Sequence, residues 1–341
     1  MSKKILITGG AGFIGHHFVE HFLRFSDYDI IVLDRLNYSG QLDRLRDIEA
    51  FDNKRVLTLT SNFSSSLEGN ILPELKDVKY IFHLGAETHV DNSISDAEPF
   101  VISNVLGTMH MLNLARKISS LECFYYFSTD EVFGPAPEGI SYKELDPHNP
   151  KNPYAATKSG GEMLVKAYGN SYKLPYVITR TMNVFGERQH PEKFIPLVIR
   201  KALAGETVCI HADSTKTKAG SRSYIHARNV VSVYDFLLTH STLNEEYHIV
   251  GEKEVDNLTL ALYIAAVLHK SLKYELVDFH SSRPGHDLRY ALCGDKISSL
   301  GWKYPKTFDE SLEKTIRWYI DHPRWLGMNY GSLGHSVEKN Y

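Results

Sequence analysis

The sequence predicts an α/β protein: a doubly wound parallel sheet with a smaller C-terminal α/β lobe. Short β-branched or aromatic runs alternate with longer amphipathic stretches through the first half. The runs themselves are almost continuously apolar, as strands covered on both faces must be. From about residue 182 the pattern loosens into shorter runs with polar interruptions. At 341 residues the chain is long enough for two packed lobes, at roughly 150 residues per domain.

In chain order, the predicted strands are residues 4–8, 30–34, 55–60, 80–85, 124–129 and 176–181, with helices between them. Parallel strands joined through helices bind ligands beyond their carboxyl ends, so functional residues should follow each run directly. Residues 1–181 read as the nucleotide-binding domain, with some later segments crossing back to it. Residues 182–330 form the second domain and 331–341 a tail. Within the second domain, 216–223 reads as a polar loop, whereas 257–269 and 307–319 keep helical spacing.

Composition excludes several roles. Lys plus Arg total 38 against 41 Asp plus Glu, a net of −3, so no overall field draws the chain to nucleic acid. The start, Met-Ser-Lys-Lys before Ile5, carries too short an apolar run for a signal peptide, and no later run reaches about 18 apolar residues. The expectation is a cytoplasmic protein without membrane contact. Cys123, Cys209 and Cys293 are far apart and odd in number, which suits reduced thiols, and no CxxC zinc pattern exists.

The first predicted strand runs into Gly9-Gly10-Ala11-Gly12-Phe13-Ile14-Gly15, a GxxGxxG loop opening a helix. Glycines let the backbone turn tightly against a pyrophosphate, and the helix start offers free N–H groups and a positive dipole end. The second strand ends at Asp34, 19 residues after Gly15, where a carboxylate accepts from both ribose hydroxyls and repels a 2′-phosphate. This favours NAD, in a Rossmann-type domain, although Arg35 next door could pair with a phosphate. His17-Phe18-Val19-Glu20-His21 fits an H-x-x-E-H zinc pattern, but it lies on the helix carrying the glycine loop and faces the wrong surface; no metal is expected.

Two further motifs follow later strands: Ser128-Thr129-Asp130-Glu131-Val132-Phe133-Gly134, and Tyr154-Ala155-Ala156-Thr157-Lys158 opened by Asn152-Pro153. Residues four apart share a helix face, so the Lys158 ammonium is expected to lower the Tyr154 phenol pKa and hold a ribose. A tyrosinate so placed takes a proton from an alcohol. Adjacent carboxyls provide one group to remove a proton and one to donate it.

Together with His83-Leu84-Gly85-Ala86-Glu87-Thr88-His89-Val90-Asp91, Pro191-Glu192-Lys193-Phe194-Ile195-Pro196 and Arg283-Pro284-Gly285-His286-Asp287-Leu288-Arg289-Tyr290, these motifs resemble the dTDP-glucose 4,6-dehydratases and their UDP-sugar relatives, over nearly the whole chain. The resemblance implies an NAD-dependent lyase of the extended short-chain dehydrogenase/reductase superfamily. Its substrate would be a dTDP- or UDP-linked glucose or N-acetylglucosamine. Tyr154 would act as base while C4 is oxidised, Glu131 would remove the C5 proton, and Asp130 would protonate the departing 6-hydroxyl before hydride returns to C6. Thr129 would bond the C4 oxygen and Lys158 the phenol and ribose. By the same carry-over, Gly9, Gly12, Phe13, Ile14, Gly15, Asp34, Arg35, Leu36, Asn37, Asn62, Phe63, Leu84, Gly85, Ala86, Thr88 and Ser103 would surround NAD. Thr88, Asn183, Lys193, Phe194, Arg222, Asn257, Arg283 and His286 would hold the nucleotide diphosphate. Relatives pair as homodimers through helices here near 99–116 and 155–172.

The chain departs from the family in a longer polar loop, 213–220, before Arg222, in a compact segment between Gly134 and Tyr154, and at two further positions. Asn62 stands where Asp is common, and Asn183-Val184 replaces an Asn-Asn pair. The alternatives are a nucleotide-sugar 4-epimerase or UDP-glucuronate decarboxylase, against which Asp130 argues, and a non-catalytic NAD-binding regulatory protein.

Overall fold

The computed structural model describes residues 3–65, 67, 71–279 and 288–328. Six strands form in the first half: β1 (Lys4–Thr8), β2 (Asp29–Asp34), β3 (Val56–Thr60), β4 (Val78–His83), β5 (Cys123–Thr129) and β6 (Tyr176–Thr181). Seven more follow: β7 (Val184–Phe185), β8 (Thr207–Ala212), β9 (Ser221–Ser223), β10 (Ile225–His226), β11 (Glu245–Ile249), β12 (Glu254–Asp256) and β13 (Lys273–Asp278). The main sheet has the order β11-β6-β5-β4-β1-β2-β3, with every neighbouring pair parallel.

Side chains alternate across this sheet. Ile5 and Ile7 join one core and Leu6 the other, all three fully buried. The first core is closed by α1 (Phe13–Phe25) and by Ala227–His240, a helix from the second half of the chain. On the opposite face lie Gly107–Ala115 and Pro153–Tyr172, called α2 below. Both β11 and the Ala227–His240 helix thus return to the first lobe. A third core knits Phe194–Ala204, Asn257–Val267 and Phe308–Asp321 to the β8/β13 pair.

The strand expected at 80–85 ends at His83, because Gly85 leaves the sheet to sit against Phe63, where a Cβ would meet the ring at 2.5 Å. Residues 216–223, expected as loop, end in β9, which pairs antiparallel with β12; backbone pairing is indifferent to the polarity of Ser221 and Arg222. Arg283, His286 and the 331–341 tail lie outside the described residues. Among the described residues no helix is long and apolar enough to cross a membrane.

Candidate active site

The sheet reverses its winding between β1 and β4, and there, at the carboxyl ends, a groove opens. One arm, about 1000 Å³, runs over the glycine loop and the end of β2. The other, about 1750 Å³, lies between the sheet and the second lobe. Phe13, Ile14, Leu84, Ala86 and Thr88 line both arms, so the two are continuous.

In the first arm the glycines are required by space. A Cβ on Gly15 would stand 2.1 Å from the Gly9 carbonyl oxygen, and Gly9 itself has φ +69°. No side chain caps the start of α1, which leaves its first N–H groups facing the cleft for an anion. Asp34 is buried, and each carboxylate oxygen accepts one backbone bond, from Ala11 (3.0 Å) and Leu36 (2.9 Å). The remaining lone pairs suit vicinal ribose hydroxyls. Arg35 is ion-paired with Glu87, so it is already engaged rather than held for a 2′-phosphate. These features fit a dinucleotide with a free 2′-hydroxyl.

Gly9, Gly12, Gly15, Asn37, Phe63, Gly85 and Ser103 also line this arm as expected. Leu36 and Asn62 are not in its wall. Leu36, at φ +56°, contributes only its backbone N–H to Asp34, and the Asn62 side chain folds back onto the Ser64 N–H at 3.0 Å. The zinc-like trio is dispersed: His17 packs edge-on to His226, Glu20 pairs with Arg24 and His21 with Asp235. Among the described residues no group of three or more potential ligands is placed to hold a metal.

The second arm collects Thr129, Asp130, Glu131, Tyr154 and Lys158 with Thr88, Asn183, Lys193, Phe194, Arg222 and Asn257. Thr129 ends β5, and Asp130 and Glu131 form the 3₁₀ turn Asp130–Phe133 that follows. Tyr154 and Lys158 lie on the first turns of α2, whose start is fixed by Pro153 and by the Asn152 side chain, which accepts from the Ala155 N–H at 2.8 Å. Burial raises Asp130 to about 6. Burial and the neighbouring Asp130 charge raise Glu131 to about 7. Two repelling carboxyls in one turn, Asp130 buried and Glu131 half-buried, titrate as a pair and share a proton near neutrality.

The Tyr154 phenol departs from expectation. Burial pushes it well above its ordinary value, Glu131 and Asp130 push it further, and a bond with Thr129 opposes them. Lys158 is itself lowered to about 7 by burial. Its ammonium donates to the Phe127 carbonyl at 2.7 Å and lies 4.3 Å from the Tyr126 ring centre, and it is not among the groups that act on the Tyr154 phenol. Among the described residues, Ser128 Oγ, Asp130 Oδ2 and Thr181 Oγ1 in this arm are buried without a hydrogen-bond partner.

Sequence reasoning missed several contributors. Buried Arg44 lines the first arm and donates to the carbonyls of Ser39 (2.7 Å) and Arg188 (3.0 Å), tying the ribose loop to the second lobe. Asn104, in the π-helical turn Val101–Leu106, bonds both the N–H and the carbonyl of Glu87, at 2.8 and 3.0 Å, and also Thr157 at 3.0 Å. Their partners are 5 to 144 residues away, mostly backbone groups, and nothing in the local sequence marks them.

The GDP-mannose 4,6 dehydratase family model matches residues 6–315. The chain is 33% identical over 362 residues to a dTDP-glucose 4,6-dehydratase of Salmonella typhimurium, with 99% of each covered. It is 35% identical over 334 residues to a trifunctional UDP-glucose 4,6-dehydratase/UDP-4-keto-6-deoxy-D-glucose 3,5-epimerase/UDP-4-keto-L-rhamnose-reductase of Arabidopsis thaliana. That match takes in 97% of this chain and 49% of the plant protein, so the chain spans about half that relative's length. The crystal structure of the dTDP-glucose 4,6-dehydratase DesIV of Streptomyces venezuelae, with NAD and TYD bound, superposes with a TM-score of 0.85 at 35% identity, covering 94% of this chain and 98% of that one.

Proposed function

The chain belongs to the GDP-mannose 4,6-dehydratase family, within the extended short-chain dehydrogenase/reductase superfamily, and from that premise we propose that it is an NAD-dependent nucleotide-sugar 4,6-dehydratase. The observation that carries this reading is the pair of neighbouring acids, buried Asp130 and half-buried Glu131, beside Tyr154 in one groove. An epimerase needs no such pair. Elimination of water needs one acid and one base held close together.

The glycine loop and Asp34 would hold NAD, which would supply hydride acceptance from C4 and hydride return to C6. Tyr154 takes the C4 hydroxyl proton as the alcohol becomes a ketone, and Thr129 orients that oxygen. The ketone acidifies the C5 proton, which Glu131 removes. Asp130 gives its proton to the C6 hydroxyl, which departs as water, and once hydride has reached C6 the proton held by Glu131 goes back to C5. Values near 6 and 7 for the two acids suit proton exchange close to neutrality. Lys193 and Arg222, lining the far side, suit a diphosphate.

A homodimer is part of the same proposal. Val101, Ile102, Leu106 and Met163 are large apolar side chains left exposed on two packed helical segments; a sedimenting monomer would remove it. The activity itself is tested by mass spectrometry of the products from dTDP-glucose, UDP-glucose and UDP-N-acetylglucosamine. The expected product has lost one water, and Glu131→Gln should abolish the loss while retaining NAD. A product of unchanged mass would assign epimerisation instead.

A further inference from the structure

We infer that Asn152 is a positioning residue for the base: its amide is a fixed donor that holds the Glu131 carboxylate in place as an acceptor, while its carbonyl holds the start of α2. The inference rests on the dehydratase reading above.

The orientation of the Asn152 amide is dictated rather than chosen. A backbone N–H can only donate, so the atom facing Ala155 N at 2.8 Å must be the carbonyl oxygen. The NH₂ group is thereby aimed the other way, where it donates to Glu131 Oε2 at 2.9 Å. Asn152 is 5% exposed, so water cannot readily replace either contact. The segment bearing it is laced to the catalytic turn: Asn149 N–H donates to the Val132 carbonyl at 2.9 Å, and a Cβ on Gly134 would lie 2.5 Å from the Asn149 carbonyl oxygen.

An NH₂ group has no lone pair to offer an acid proton. It therefore eases ionisation of Glu131, opposing the burial and the Asp130 charge that raise it. Asp130 has donors of its own: Oδ1 accepts from the Thr129 hydroxyl at 2.9 Å, and the backbone N–H groups of Asp130 and Glu131 act on it as well, so the Asn152 amide is the matching contact on the Glu131 side. Other groups act on Glu131 too: Asp130 on its own turn, Tyr154 on α2, Lys193 before Phe194–Ala204 and Arg222 on β9. Lys193 and Arg222 also act from the diphosphate side. Among these influences, Asn152 alone is a neutral donor bonded directly to the carboxylate.

Asn152→Ser keeps a good cap acceptor but cannot present an amide to Glu131. In the full-length enzyme with nucleotide sugar, the acid limb of the kcat/KM profile should move up by about one pH unit, the rate on that limb falling about tenfold and recovering as pH rises. KM for the sugar nucleotide and the melting temperature should change little. Asn152→Asp, which caps equally well but places a like charge beside Glu131, should move the limb further in the same direction, and it gives the same reading if the Ser variant does not fold. A uniform loss at all pH values, or an unshifted limb, in whichever variant folds would overturn the assignment. Absence of water loss with the unaltered enzyme would instead overturn the dehydratase reading itself.

Discussion

Two buried charged clusters touch the same helix and are built in opposite ways. Around Arg180, every charge has a partner: the guanidinium makes charged bonds to Glu162 and Glu246, and Lys166 reaches Glu246 at 2.6 Å. Burial alone would lower Arg180, but the two carboxylates outweigh it and hold the pKa above its ordinary value; burial would raise Glu246, but Arg180 and Lys166 bring it down. In the catalytic groove, burial wins. The acids rise to about 6 and 7 and the lysine falls to about 7. Helix α2 supplies Glu162 to the first cluster and, one turn earlier on the same face, Lys158 to the second. Paired charges stay charged and act as scaffold, whereas under-paired ones drift toward neutrality and become exchangeable protons. The scaffold also supports the catalytic turn, because the Arg180 guanidinium lies 4.8 Å from the ring centre of Phe133, two residues beyond Glu131.

The comparison breaks most directly at its centre. Arg180→Met would strand Glu162 and Glu246 as buried carboxylates without their cation, a loss of about 3–5 kcal/mol in stability. Urea unfolding measures it. A cost below about 1 kcal/mol would mean that the cluster is not scaffold.

The acid pair predicts a smaller change of opposite sign. Both folded-state values lie above the ordinary 3.8 and 4.5, so the fold binds protons more tightly than the unfolded chain. That contribution is complete below about pH 4 and is lost as pH rises through about 6 to 7. At pH 8 the ionised pair therefore costs stability. Asp130→Asn should melt higher than the parent at pH 8, by on the order of 2 kcal/mol, and match it near pH 4. Equal melting at both values would show that the pair is not strained by burial.

The same contrast explains what was legible in the sequence. The glycine loop can be read because its constraint is local: the Gly15 Cβ that cannot exist would strike Gly9, six residues away. Tyr154 and Lys158 are legible for the same reason, being one helical turn apart. The Arg180 cluster is not. Its partners come from positions 18 and 66 residues away, and its apolar-looking strand gives no sign of an ion pair. Strand β11 was equally hidden, since Glu245 and Glu246 interrupt any apolar run. It takes its place through pairing with β6, with Lys296 and Arg180 answering its acids. Nor does the sequence disclose that the Phe127 carbonyl, 31 residues away, is an acceptor for the Lys158 ammonium.

The smallest effect tests whether scaffold strength follows burial within one cluster. Lys166 bonds the same Glu246 that Arg180 holds, but its side chain is 29% exposed where that of Arg180 is fully covered. Glu246 keeps its inner partner when the outer one is removed, and the exposed ammonium is screened by water and salt. Lys166→Met should therefore cost under about 1 kcal/mol, and the difference from the parent should shrink between low and high NaCl. If the loss approached that of Arg180→Met, or ignored salt, Glu246 would depend on its surface partner, and the paired cluster would be a chain of equal links rather than a buried centre with a soft rim.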